Sequence, residues 1–407
     1  MGEEADCSPR VFDSLRRGLV PLPLSADPGR PGRRLLRLYV CGVTPYDSGH
    51  LGHAFTFLSF DVLIRWLEAC GVAVTYVQNV TDVDDPLFER ARRDGVPWAE
   101  LAERGVGELL RDMVDLGWRA PDVMPRVSEE IPAIASAVEE LAGHGYTYQT
   151  DAVYFDASRF PGYGGLSHRS RLSMVRQLGE EGLLGQVGSG HKRDPLDFPL
   201  WRPSEPDEPA WDTAFGPGRP GWHIECSAMS MRYLGCQMDV HGGGRDLVFS
   251  HHESERAQSE SLTGCVPFAA AWMHAGMVRY DGRKMSKSLG NLVVVPDLLR
   301  RMSPAAARLH LVRHRYRRDW EFRWDDLARA QRLAGALAAM LGSGPIAPAS
   351  RPRGGRSGEL AERFAAALDD DLDTPRAVRV LERAVRERDA AAARWMAPIL
   401  CGGASLG

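Results

Sequence analysis

Leu36-Arg37-Leu38-Tyr39-Val40-Cys41-Gly42 and, after a polar turn, His50-Leu51-Gly52-His53-Ala54-Phe55-Thr56-Phe57-Leu58 decide the fold. The first run is short, mostly apolar and closed by a glycine, the pattern of a buried parallel strand. Residues 54–69 space their apolar side chains as a helix does, and residues 72–77 read as the next strand. Strand, helix and strand make a βαβ unit, which predicts an α/β, doubly wound front half.

Working outward, residues 1–35 are rich in Pro, Gly and Arg and read as an irregular lead-in. Residues 36–115 form the first half of the nucleotide-binding domain. Residues 86–145 read as helix-rich and charged, 146–201 mix short strands with Gly-, Ser- and Arg-rich loops, and 116–205 read as an inserted connective subdomain. The α/β pattern resumes over 206–300. Ser303-Pro304 pairs an N-cap with proline at the first helical position, so helices are expected over 301–342. A linker and a last helical segment fill 343–407, with Thr374-Pro375 opening the final helix and two helices at most over 361–400. There is no internal repeat.

The chain has 407 residues, 44% hydrophobic and 26% charged, with a net charge of −4. That is a globular profile without a global basic field for a polyanion. No apolar stretch approaches about 18 residues, so no membrane span is expected. The acidic N-terminus lacks the apolar core of a signal peptide. A cytoplasmic setting follows, in which the seven cysteines read as thiols or metal ligands rather than a disulfide framework.

Two separated motifs bear on a nucleotide. In His50-Leu51-Gly52-His53, glycine permits close backbone approach, the helix N-terminus offers N–H groups to phosphate, and His50 and His53 can donate to charge growing on an α-phosphate. In Lys284-Met285-Ser286-Lys287-Ser288, two lysines three apart on a loop can neutralise a leaving pyrophosphate. A third segment, His241-Gly242-Gly243-Gly244-Arg245-Asp246, has glycines suited to an adenine ring, and Asp246 suits ribose hydroxyls or a substrate ammonium. Taken singly, each also reads as ordinary turn chemistry.

Cys41, Cys226, His251 and Glu255 offer two thiolates, an imidazole and a carboxylate, a plausible Zn²⁺ set, with His251 and Glu255 on one face if their segment is helical. Their spacing matches no short zinc-finger pattern, and a buried free thiol is the plainer reading of either cysteine. Cys7, Cys70, Cys236, Cys265 and Cys401 show no partner pattern and read as incidental thiols.

The two nucleotide motifs, in this order on a βαβ opening, resemble the HIGH and KMSKS motifs of class I aminoacyl-tRNA synthetases. Cysteinyl-tRNA synthetases are similar over residues 36–291, through Tyr39-Val40-Cys41-Gly42, Asn79-Val80-Thr81-Asp82-Val83-Asp84-Asp85, Lys192-Arg193-Asp194-Pro195-Leu196-Asp197-Phe198 and Gly221-Trp222-His223-Ile224-Glu225-Cys226-Ser227. The resemblance implies a class I synthetase-type Rossmann catalytic domain with an inserted connective subdomain, then a C-terminal α-helical domain. It implies catalytic roles for His50, His53, Lys284 and Lys287. Nucleotide contacts would come from Gly42, Thr44, Gly52, Gly243, Asp246, Met277, Val278, Ser286 and Ser288. Zn²⁺ on Cys41, Cys226, His251 and Glu255 would take the substrate thiolate, Thr81 and Trp222 would wall the L-cysteine pocket, and ATP would act with Mg²⁺. Without that context Trp222 reads equally as a core aromatic.

The back end bears on the acceptor. The stretch after Ser288, residues 289–407, is short for a stem-contact bundle plus an anticodon-binding domain, and 361–400 lacks a basic, aromatic face for unpaired bases. Mycothiol ligases, truncated relatives that join cysteine to the amine of glucosaminyl-inositol, resemble the chain in length. They also match Gly42-Val43-Thr44-Pro45-Tyr46-Asp47, His274-Ala275-Gly276-Met277 and Asp370-Asp371-Leu372-Asp373-Thr374-Pro375. This implies a monomeric ligase of a small amine, with neither tRNA nor membrane as partner. Glu255 departs from that pattern, since three protein ligands are expected there; it fits the tRNA synthetases or a cysteine ligase with another amine acceptor. A catalytically dead paralogue would be expected to lose motif residues that are present here.

Overall fold

The computed structural model describes residues 7–45, 49–180, 182, 191–285 and 290–407. Its centre is a sheet in which strands Arg34–Val43, Ala73–Val80, Met238–Gly244 and Ala269–Ala275 run parallel, with Arg34–Val43 between Ala73–Val80 and Met238–Gly244. The paired registers, Leu36 with Val74 and Val240 with Leu38, place the strands' C-terminal ends together at one edge, where an open α/β sheet binds its ligands.

The helix Leu51–Ala69 follows the first strand. It is apolar nearly all round and is therefore covered on every side. One side lies on the sheet; the other meets the helices Pro304–Val312 and Ala390–Cys401. Asp61 on this helix is fully buried and paired with the buried Arg308 of the C-terminal helices. Arg308 also donates to the Leu400 carbonyl at 2.7 Å. Burial alone would raise the Asp61 pKa, but Arg308 and Arg65 outweigh it and hold the carboxyl below its ordinary range. Removing one member of such a pair costs roughly 3–5 kcal/mol.

A separate antiparallel sheet orders Thr147–Gln149, Val153–Phe155, Phe198–Arg202 and Arg219–Pro220. It stands over the C-terminal edge of the main sheet and, with the helix Arg171–Glu180, forms one wall of the site described below.

Three expectations are corrected. The lead-in is not irregular over its described part. Arg10–Asp13 and Gly18–Pro21 form a hairpin, and Ser25–Ala26 pairs with the central strand. Burial of Asp13, which accepts from the Trp272 N–H at 3.1 Å, orders it; composition does not reveal such a long-range partner. The end of the chain holds three helices, Gly355–Leu368, Thr374–Arg386 and Ala390–Cys401. The break falls where Arg388 takes a φ of 56° and Asp389 caps the next helix by accepting from the Ala392 N–H. Finally, Cys236 and Cys265 are joined as a disulfide, because the turns after Trp222–Leu234 and Glu253–Thr263 bring their Cα atoms to 6.0 Å.

Candidate functional site

The four candidate metal ligands converge from three elements. Cys41 lies near the end of the strand Arg34–Val43, Cys226 in the helix Trp222–Leu234, His251 in the kinked segment that leads into the helix Glu253–Thr263, and Glu255 at the start of that helix. Their ligand atoms all lie within 4.8 Å of one another, and all four residues are buried. The His251 Nε2 is 3.0 Å from Glu255 Oε1, and Cys41 Sγ is 3.4 Å from the same oxygen.

Neighbours fix the orientation of this set. His223 and His251 share a hydrogen bond between their Nδ1 atoms at 2.9 Å, which turns the His251 Nε2 toward the other three ligands. His241 Nε2 holds Glu255 Oε2 at 2.9 Å, leaving Oε1 facing inward. Such partners fix the tautomer and aim of a ligand. The ring of Trp222 stacks on His251, centroids 4.3 Å apart.

The electrostatics suit a cation. Burial would raise the Glu255 pKa, but His241 and His251 hold the carboxyl well below its usual range. Burial likewise opposes ionisation of Cys226, yet the hydrogen bond from Cys41 and the nearby His251 bring its thiol down to about 6. Burial would lower His251, and the charge of Glu255 instead pushes it up to about 10. Two sulfurs, one imidazole nitrogen and one carboxylate oxygen in mutual reach are a donor set that fits tetrahedral Zn²⁺. Cys41, His241 and His252 also lie within mutual reach, but they share Cys41 and the Glu255 contact and so belong to the same centre.

Beside this cluster, a cavity of about 310 Å³ is lined by Thr44, His50, His53, Thr81, Trp222 and Asp246, together with Cys41, Cys226 and His251. A contiguous cavity of about 200 Å³ adds Gly52, Gly244, Met277 and Val278 to His50 and His53. Here the helix Leu51–Ala69 begins. His50 caps it, its Nδ1 accepting from the Gly52 N–H at 3.0 Å, and its ring stacks on His53 at 3.9 Å. That acceptance places the His50 proton on Nε2. Thr81 Oγ1 accepts from Asn79 Nδ2 at 3.0 Å, and Asn79 Oδ1 accepts from the Gly42 N–H at 2.9 Å. A side chain on Gly42 would fall 1.6 Å from the Asn79 carbonyl oxygen, so this close crossing requires glycine.

Not every sequence expectation falls on these walls. Residues 241–244 lie in the strand Met238–Gly244 rather than in a turn. A Cβ at Gly242 would sit 2.3 Å from the Phe60 ring, so that glycine serves helix packing; Gly243 is buried against His252. Lys284 lies in the short strand Arg283–Lys284. Ser286, Lys287 and Ser288 lie outside the described residues, as does the side chain of Lys284. Sequence reasoning passed over His223 and His241 as ligand supports, although both stand in segments it quoted. Histidines beside metal-ligand candidates were the available signal.

Comparison with known proteins bears out the fold. The model of the tRNA synthetases class I (C) catalytic domain matches residues 30–332. An L-cysteine:1D-myo-inositol 2-amino-2-deoxy-alpha-D-glucopyranoside ligase of Frankia casuarinae is 48% identical over 354 residues, 85% of this chain and 73% of that protein. The ligase of the same name from Kribbella flavida is 42% identical over 92% of this chain and 89% of its own. A cysteine–tRNA ligase of Stutzerimonas stutzeri is 44% identical over 90% of this chain and 77% of its own. Among solved structures, a Mycobacterium tuberculosis methionyl-tRNA synthetase with methionyl-adenylate shares the fold at a TM-score of 0.62 and 16% identity, covering 90% of this chain and 88% of that one. The chain belongs to the class I tRNA synthetase family, in the cysteine-ligase group that holds both these inositol-glucosaminide ligases and the cysteine–tRNA ligases.

Proposed function

We propose that this protein is an ATP-dependent, AMP-forming ligase that activates L-cysteine as its adenylate and transfers it to the amine of glucosaminyl-inositol. The observation that carries the cysteine is the buried quartet Cys41, Cys226, His251 and Glu255 opening onto the cavity that holds His50 and His53. These side chains would hold zinc, which would supply a cationic centre for a substrate thiolate, for which the less acidic hydroxyl of serine is a poor competitor.

The chain's own residues supply the rest. Thr81 and Trp222 wall the amino-acid side, and Asp246 stands at the mouth shared with the nucleotide. His50 and His53 would donate to the α-phosphate of ATP, used with Mg²⁺, and the charges of Lys284 and Lys287 would neutralise the outer phosphates. The cysteine carboxylate bonds to the α-phosphorus, the bond to the bridging oxygen breaks, and pyrophosphate leaves. The amine nitrogen then bonds to the acyl carbon, the bond to AMP breaks, and the nitrogen gives up a proton.

We assign residues 36–115 and 206–300 to the catalytic domain, 116–205 to the connective insertion, 301–342 to stem-contact-like helices and 343–407 to the C-terminal segment. No helix among the described residues is long and apolar enough to cross a membrane.

A second reading, transfer to tRNA, is favoured by one feature: Glu255 completes a fourth protein ligand, the pattern that sequence analysis associates with the tRNA synthetases. The test is mass spectrometry of products after incubation with cysteine, MgATP and either glucosaminyl-inositol or tRNA. The cysteinyl amide is expected; charged tRNA without amide overturns the assignment.

A further inference from the structure

A second cavity, of about 320 Å³, lies between the antiparallel sheet and the main domain and shares Thr44 and Trp222 with the cysteine site. Its size falls within the range of about 300–1,000 Å³ common for small-molecule sites. We propose that this cavity is the acceptor site, that it takes a neutral polyol bearing one primary amine, and that Asp84 receives the amine while Lys192 binds hydroxyls. The proposal rests on the small-amine reading above and names the residues that reading lacks.

Position comes first. Trp222 lines both cavities, and its ring stacks on His251 of the metal-ligand cluster. An acceptor here therefore lies next to the bound cysteine, in a cavity that has none of the lining of the cavity formed by Gly52, Met277 and Val278.

Charge comes second. The lining carries three carboxylates, Asp84, Asp85 and Asp197, and three cations, Lys192, Arg202 and Arg219. Most of these are already committed. Asp85 pairs with Arg202 at 2.7 Å and also with Arg219; Asp197 accepts from the Tyr148 hydroxyl at 2.7 Å. A balanced lining offers no field for the phosphates of a tRNA end, but it gives many donors and acceptors to hydroxyls. Leu196, Phe198 and Pro220 add apolar surface for the C–H face of a sugar ring.

Two groups keep capacity for a ligand. Asp84 accepts from Thr44 Oγ1 at 2.9 Å and from the Asp85 N–H at 2.9 Å, which leaves lone pairs on a carboxylate that has about four sites. Burial, together with the charge of Asp85, raises its pKa to about 6, so it is mostly ionised at neutral pH and suited to a cationic amine. Lys192 is half-buried and makes no ion pair among the described residues; burial pulls its pKa below the usual value.

Lys192→Met and Asp84→Asn test the assignment; asparagine retains helix-capping ability where Asp84 starts the helix Asp85–Asp94. Each variant and the unaltered protein are assayed for cysteine-dependent pyrophosphate exchange into ATP and for amide formation across glucosaminyl-inositol concentrations. The ratio of ligation to exchange is expected to fall roughly tenfold in each, the loss of one charge-assisted hydrogen bond, with Lys192→Met acting through the acceptor KM. A ratio unchanged in both variants overturns the acceptor site while leaving the ligase reading intact. Exchange without any amide in the unaltered protein overturns the small-amine reading and the acceptor site with it, an outcome seen before any substitution is made.

Discussion

The two chambers that share Trp222 select their occupants by different physics. On one side, Cys41, Cys226, His251 and Glu255 sit within 4.8 Å of one another, buried and aimed by His223 and His241. On the other, acids and bases compensate one another around a cavity of similar volume. A chamber of the first kind discriminates by one bond to one atom type. A chamber of the second kind discriminates by the summed fit of many weak hydrogen bonds. The first should be intolerant of substitution and the second graded.

Three further measurements can break or sharpen that contrast. Cys226→Ala removes a ligand outright. Zinc content measured by plasma mass spectrometry should fall close to zero, and cysteine-dependent exchange should drop by more than the ~10–100-fold typical of a supporting partner. Full activity in a zinc-free variant would end the metal-based account. Next, serine offered in place of cysteine should be rejected well beyond the ~10–200-fold that a small difference in packing provides, as read from the ratio of kcat/KM values in exchange. Rejection within that range would mean that shape, not the metal, makes the choice. Smallest is His241→Asn, which releases Glu255 Oε2 from its 2.9 Å contact. Zinc affinity, measured by chelator competition, should weaken by about 10–100-fold with the fold retained.

The same contrast explains what was legible in the sequence. The strand before Cys41 and the helix after His50 announced themselves through periodicity, because both are buried enough for polarity to be excluded. The metal quartet was legible by residue type, through the family resemblance, although its spacing follows no short motif. The acceptor cavity was not legible. Thr44, Asp84, Lys192, Arg219 and Trp222 come from distant segments, and their meaning lies in mutual compensation, which only tertiary pairing creates. The hairpin Arg10–Asp13 with Gly18–Pro21 escaped notice for a related reason, since its order comes from Asp13 reaching Trp272.

The contact between Asp61 and Arg308 has a consequence for how such a chain can be cut and recombined. Asp61 rides on the helix that His50 caps, while Arg308 is held by the Leu400 carbonyl of the final helix. The last helices are thus a keel under the nucleotide helix rather than cargo behind it. Grafting the catalytic half onto another acceptor-binding domain would take Arg308, the fully buried partner, from Asp61 and leave only the partly exposed Arg65, so recombination within this family should preserve these helices whatever acceptor is chosen.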